Sequence, residues 1–228
     1  LPEAHVHRFS GPSGHGAGLI DDAGDNVIVV HPGANHRLGR EHVQAAAPDI
    51  AASAVLYGQF EAPDDVLAQA FQLGRQAGTH TVLNPSPWRP IAAEVLQHVD
   101  TLLLNAQEAG ALFGVAPGAL APQRAWPDQA LRWRRAHPGI GLLVTLGDAG
   151  CLVWPSQADL PKHRPAHPVQ AVDTTGCGDA FAAAWCRALA CDQEQETALQ
   201  AALAAGAWVA ARRGVLDALP SHESLQAW

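Results

Sequence analysis

Methionine is missing from all 228 residues, and lysine occurs once, as Lys162 in a loop flanked by Pro161 and Pro165. With no other lysine, a Walker A loop, the strand lysine of a protein kinase and a Schiff-base mechanism each lack their central residue. Any phosphate chemistry must then run on backbone amides, arginine or a metal. Cysteine is sparse too. Cys151, Cys177, Cys186 and Cys191 show no C-x-x-C spacing and are too few to staple a chain of this length, so a reducing cytoplasm is the expected setting. Positive charge is scarce: 14 basic against 22 acidic residues give a net charge of -8, which argues against nucleic acid or an anionic membrane as partner. Arg132, Arg134 and Arg135 cluster on one expected helix and read as a solvated face. His5 with His7, and His163 with His167, read as solvated histidines, because prolines 161, 165 and 168 forbid the helix that i,i+4 ligation needs. Long apolar runs are lacking as well. The most apolar helix, near Ala198 to Ala211, is too short to span a bilayer, and no basic segment followed by an apolar run opens the chain.

What is present centres on Asp173-Thr174-Thr175-Gly176-Cys177-Gly178-Asp179. The apolar Ala171-Val172 reads as a strand end before this turn, and the apolar run after Asp179 reads as a helix. Gly176 and Gly178 allow positive φ, so that successive N–H groups can face one point, and the helix start adds unpaired amides and a positive dipole end. Such a cradle suits a phosphate. Asp179 fits beside an anion only if it takes a proton from the attacking group. The alternative is a glycine turn in which Asp179 merely caps the helix. Cys177 is discounted as a nucleophile, since no histidine partner stands near it in sequence.

The rest of the chain, 48% hydrophobic, has the length and composition of one globular α/β domain. Apolar runs 17–20 and 27–30 around the turn formers Asp21 to Asn26 predict a hairpin. Strands are expected at 54–60, 81–84, 101–104 and 142–146, with 151–154 as the hairpin partner of the last. Helices are expected at 41–47, 64–76, 91–98, 106–113, 128–136, from Asp179 to 190 and at 193–212. Repeated βα units predict a mostly parallel sheet covered by helices. Glu61, Asn84, Asn105, Gly147 and the Gly176 cradle each follow a predicted strand, so all should meet on one rim. Glu61 could instead cap the helix from Asp64. Asn84, before Pro85, could serve the turn alone, and Asn105 could be only an N-cap, with Glu108 one turn along the same face.

The heptapeptide closely resembles the signature of the ribokinase-like (PfkB) carbohydrate kinases, with Cys177 where the usual form has Ala. Pro32-Gly33-Ala34-Asn35, Gln59-Phe60-Glu61, Asn84-Pro85-Ser86-Pro87, Asn105-Ala106-Gln107-Glu108 and Thr145-Leu146-Gly147-Asp148-Ala149-Gly150 fit the same family in the same order. The resemblance implies a ribokinase-like α/β domain over residues 1–228, shortened at its N-terminus, with residues 14–35 a remnant of the β lid. It implies ATP-dependent phosphorylation of the primary hydroxyl of ribose or a related sugar, with Asp179 as base and the Gly176, Cys177 and Gly178 amides stabilising the transferred group. Glu61 would contact the sugar. Asn105, Thr145, Gly147, Asp148, Gly150 and Gly178 would serve the nucleotide, and Glu108 the Mg²⁺ side. A monovalent cation, K⁺, would lie among Asp173, Thr175, Val209, Arg212 and Gly214. Leu203 stands where the family often places Asn or His against adenine. The hairpin edge is expected to stay exposed or to pair in a homodimer. A nucleoside kinase on the same fold and a catalytically silent nucleotide- or sugar-binding protein remain the alternatives.

Overall fold

The computed structural model describes residues 3–20, 26–121 and 126–226. Strands β1 (His15–Ile20) and β2 (Asn26–His31) pair antiparallel from His15 opposite His31 to Ile20 opposite Asn26. The turn expected at 21–25 lies outside the described residues. This hairpin forms a sheet of its own, and Val29 and Val30 on it are 59% and 39% exposed. Two short helices follow, α1 (Arg40–Ala45) and α2 (Ala47–Ala52), where one was expected. Pro48 explains the break, because it fits the first turn of a helix but not its interior.

The main sheet has six strands in sequence order: β3 (Val55–Gln59), β4 (His80–Asn84), β5 (Thr101–Asn105), β6 (Gly141–Thr145), β7 (Cys151–Trp154) and β8 (Lys162–Arg164). β3 to β6 run parallel, and β7 and β8 return antiparallel. Helices α3 (Asp64–Ala77), α4 (Ala93–Leu96), α5 (Ala106–Phe113) and α6 (Asp128–Ala136) fall between the parallel strands. Each crossover advances the same way along the sheet, and crossovers are right-handed, so these helices share one face. The packing agrees: Leu67 and Phe71 of α3, Val95 of α4, Phe113 of α5 and Ala130 of α6 meet Leu102, Leu104, Leu142 and Val144. Strand side chains alternate, so Val82, Leu103, Leu143 and Val153 point to the opposite face. That face is roofed by α7 (Cys177–Ala190) and α8 (Gln195–Ala210) through Phe181, Trp185, Leu199 and Leu203. Leu102, Leu104, Leu142 and Leu143 are 3% exposed or less, each contributing about 1.5–3 kcal/mol by burial. A short α9 (His222–Gln226) ends the described chain, and none of the described helices is long and apolar enough to cross a membrane.

Local sequence accounts for most boundaries. In α3 the buried Val66, Leu67, Phe71 and Gly74 form one stripe, and Gly78 stops the helix at φ 85°. Three expectations are corrected. Val172 is not a strand end: it is 53% exposed, and its N–H and that of Asp173 both donate to the carbonyl of Ala210. The 91–98 helix shrinks to the single turn of α4. Arg134 is not solvated but 7% exposed, and its Nη1 and Nη2 donate to the carbonyls of His137, Pro155 and Ser156, which replace part of the water it gives up, while Nε is left without a hydrogen-bond partner among the described residues.

Candidate active site

The parallel strands bring their C-terminal ends to a common rim. Gln59 stands opposite Asn84 in the β3–β4 register, and Asn105 opposite Thr145 in β5–β6. Glu61 follows two residues after β3, and Gly147 two residues after β6. The cradle reaches the rim by another route. It follows an irregular segment and is delivered by α7, whose N-cap is Gly176 at φ 80°, a left-handed value that disfavours any side chain.

A chain of hydrogen bonds joins the rim residues. The Asn84 side chain is its centre: Oδ1 accepts from the Tyr57 hydroxyl at 3.2 Å and from Gln59 Nε2 at 3.1 Å, while Nδ2 donates to the Leu103 carbonyl at 3.0 Å and to Glu108 Oε2 at 3.4 Å. Gln59 Nε2 also donates to Asp179 Oδ1 at 3.4 Å. Gln59 and Asn84 therefore bridge the carboxylate on α7 to the carboxylate on α5. Burial, and secondly the Asp179 charge, push the Tyr57 phenol well above its ordinary range and keep it a donor.

Glu108 and Asn105 cap α5 reciprocally. Asn105 Oδ1 accepts from the Glu108 N–H at 2.8 Å, and Glu108 Oε2 accepts from the Asn105 N–H at 2.8 Å. The N-cap role foreseen for Asn105 is thus observed. Glu108 is 5% exposed, and burial raises its pKa against the opposing pull of the Asn105 amide and the Ser86 and Asn84 side chains.

The α7 start retains free donors. Cys177 N–H is spent on the Thr174 carbonyl at 3.2 Å, and Ala180 N–H on that of Gly176 at 2.9 Å. Among the described residues the N–H groups of Gly176, Gly178 and Asp179 make no hydrogen bond. The cradle therefore differs from the expected set of Gly176, Cys177 and Gly178 by the engaged Cys177 amide. The thiol of Cys177 is pushed up, first by burial and then by the nearby Asp173 charge, which opposes a nucleophilic role.

A cleft of about 380 Å³ opens between this helix start and the β6–β7 turn. Thr145, Gly147, Asp148 and Gly150 line it on the turn side, and Thr174, Cys177 and Gly178 on the helix side. Phe181, Leu203, Gly206 and Ala207 give it an apolar floor. Leu203 is thus in the cleft. Asn105, assigned to the nucleotide side by resemblance, does not line it; it stands beside Thr145 in the β5–β6 register with its side chain spent on the α5 cap. The cation set is partly gathered. Asp173 Oδ1 accepts from the Thr175 N–H at 2.9 Å and Oδ2 from the Gly214 N–H at 3.4 Å, bonds that hold its pKa below the ordinary carboxylate value. Arg212 N–H donates to the Val209 carbonyl at 2.9 Å just past the end of α8. Sequence reasoning singled out Glu61 in Gln59-Phe60-Glu61 and passed over Gln59. Its signal was the alternation of β3, which sets Tyr57 and Gln59 on one strand face.

Comparison with known proteins bears on this geometry. The sequence pattern of the pfkB family carbohydrate kinases matches residues 6–222. The chain is 30% identical to mouse ribokinase over 167 residues, covering 73% of this chain and 50% of that protein. It is 29% identical to ribokinase of Bacillus subtilis over 224 residues, covering 98% of this chain and 70% of that one. The chain spans 50% to 65% of four of the curated ribokinases it matches. The structure of Arabidopsis thaliana ribokinase complexed with ribose and ATP superposes with a TM-score of 0.81 at 26% identity, over 95% of this chain and 69% of that one. Ribokinase of Thermotoga maritima superposes at 0.78 and 29% identity, over 95% and 69%. With the family pattern matched from residue 6 to residue 222, over a rim and a helix-borne cradle at one sheet edge, the chain belongs to the pfkB family of carbohydrate kinases.

Proposed function

We propose that this chain carries the phosphoryl-transfer site of an ATP-dependent sugar kinase, acting on the primary hydroxyl of ribose or a related sugar. One observation carries the reading: Asp179 lies within hydrogen-bond reach of the rim through Gln59, on the same helix start whose Gly178 borders the cleft and whose Gly176, Gly178 and Asp179 amides are unbonded. A phosphate placed there gains N–H donors and a helix dipole without any lysine. The ribose and ATP bound by the Arabidopsis relative support the same choice of ligands.

In this reading ATP occupies the cleft, its base against Leu203 and Ala207 and its phosphates directed along Gly147 to Gly150 toward Gly178. The sugar lies at the rim near Glu61. The carboxylate of Asp179 accepts the hydroxyl proton as the sugar oxygen bonds to the γ-phosphorus and the bond to ADP breaks; the amides of Gly176 and Gly178 offset the charge on the transferred oxygens. Gln59 keeps the carboxylate aimed. Mg²⁺ would be held on the Glu108 side of the rim, where a carboxylate supplies the hard oxygen it prefers, and would neutralise phosphate charge. Asp173, Thr175, Val209, Arg212 and Gly214 would enclose K⁺, with Ala218 offering no side-chain oxygen. Residues 14–35 act as part of a lid, and the exposed Val29 and Val30 pair it with a second copy. The setting is the cytoplasm.

The test is Asp179→Asn. We expect kcat on a pentose panel to fall by about 10²–10⁴-fold, with ATP affinity by isothermal titration changed less than about threefold. Undiminished turnover would remove Asp179 from the chemistry.

A further inference from the structure

Arg89 lies outside every motif of the sequence, in the segment that follows β4. Its guanidinium sits 3.9 Å from the centre of the Phe60 ring, and Phe60 is 2% exposed. From that stacked position Nη1 donates to the Phe60 carbonyl at 3.0 Å, and Nη2 donates to the Ala62 carbonyl at 3.3 Å and to Asp64 Oδ1. The two carbonyls belong to the residues on either side of Glu61. The same segment grips the turn a second time, because Phe60 N–H donates to the Ser86 carbonyl at 3.0 Å. Within the turn itself, among the described residues, the other support is Ala62 N–H to the Gln59 carbonyl at 3.3 Å. Without the guanidinium, both carbonyls would lose their protein donor and the turn would hang on two bonds.

We propose that Arg89 is a positioning residue for acceptor binding, its guanidinium fastening the peptide groups on both sides of Glu61 so that this carboxylate is held ready for the sugar. The role rests on the sugar-kinase reading given above. It requires arginine in particular, since a planar fork can serve two carbonyls and a carboxylate while lying flat on an aromatic ring, and a lysine ammonium cannot. The energy is local. Asp64 caps nothing by its side chain at the start of α3, so its carboxylate is available to the fork.

The experiment compares the unaltered chain with Arg89→Ala, Arg89→Lys and Asp64→Ala, reading amide hydrogen exchange over residues 59–64 and the steady-state constants for ribose and ATP. In Arg89→Ala, exchange over 59–64 is expected to quicken, and the KM for ribose to rise about 10- to 100-fold while that for ATP stays within about twofold. Arg89→Lys should recover only part of that loss. Asp64→Ala, which keeps both carbonyl bonds, should raise the ribose KM less than either Arg89 variant does, and its comparison with Arg89→Lys supplies the test if Arg89→Ala does not fold, an equal or larger rise in Asp64→Ala overturning the clamp. Unchanged exchange in Arg89→Ala overturns the clamp. Faster exchange with an unchanged ribose KM, or an ATP KM that rises as far as the ribose KM, overturns the role in acceptor binding. Absence of turnover by the unaltered chain on every pentose would instead refute the sugar-kinase reading, and the acceptor role with it.

Discussion

Replacing Glu108 by Gln separates two things this carboxylate does. The side chain is 5% exposed and closes the α5 cap by accepting from the Asn105 N–H at 2.8 Å. Glutamine offers an oxygen at the same reach, so the cap survives; the loss is the charge assistance, about 1 kcal/mol. Against it stands the relief of a buried charge. Burial raises the folded pKa of Glu108 above its ordinary 4.5, so the folded state holds this proton more tightly than the unfolded chain does. The stabilisation from Glu108 is therefore complete below the unfolded value and is lost as pH climbs through the raised folded value. Each unit of separation is worth about 1.4 kcal/mol, or roughly 2–5 °C in Tm for a chain of this length. Calorimetric Tm of both proteins from pH 4 to 8 should accordingly show Glu108→Gln gaining on the parent as pH rises, and levelling once Glu108 is fully ionised. If the carboxylate also faces Mg²⁺ in the working enzyme, kcat of the variant falls by about 10²-fold or more while its Tm follows the pH course just described. A Tm difference that is flat with pH, or that turns against the variant as pH rises, would refute the assignment of the raised pKa to this group.

Two further perturbations probe the cleft walls. Gly150 has φ 92°, and a Cβ built there would stand 2.0 Å from the Arg164 carbonyl oxygen and 2.6 Å from the Ala166 nitrogen, so Gly150→Ala should cost about 2–6 kcal/mol in urea unfolding. Gly147→Ala, at φ 61° with open space around the new Cβ, should cost only about 1–2 kcal/mol, and equal losses in the two variants would contradict the packing described. Iodoacetamide should label Cys177 slowly at pH 7 and faster only as pH climbs past the ordinary thiol value of 9.0, with ATP protecting it. Rapid labelling at pH 7, read by peptide mass, would show that burial and the Asp173 charge do not govern this thiol.

Much of this arrangement was legible from residue patterns, for reasons that can be named. The stripe of Val66, Leu67 and Phe71 and the stop at Gly78 fix α3 without tertiary information. The convergence of Asn84, Asn105 and Gly147 follows from strand polarity alone, since every parallel strand delivers its C-terminal loop to one edge. The misses have physical causes too. β8, Lys162-His163-Arg164, is a strand by its pairing with β7 and carries no apolar alternation. α7 begins at Cys177 rather than Asp179, because Gly176 in the left-handed region turns the chain into the helix two residues early. The buried Arg134 answers to carbonyls in the segment after β7, and Arg89 to carbonyls after β3. In both cases the partners lie more than twenty residues away, where no local pattern reaches.

The roof of α7 and α8 has a consequence for how the two halves of the site can change. Every crossover helix lies beneath the sheet, whereas Asp179 rides on a helical pair laid over the other face and stitched to it by Phe181 and Trp185. Gly206 of α8 passes close under the Cys177 carbonyl, where a Cβ would stand 3.5 Å away. α7 is thus seated against its companion helix as well as against the strands that end at Asn84 and Asn105. Bulk beyond a single Cβ at position 206 would press on the first turn of α7 and shift Asp179 relative to the strand ends.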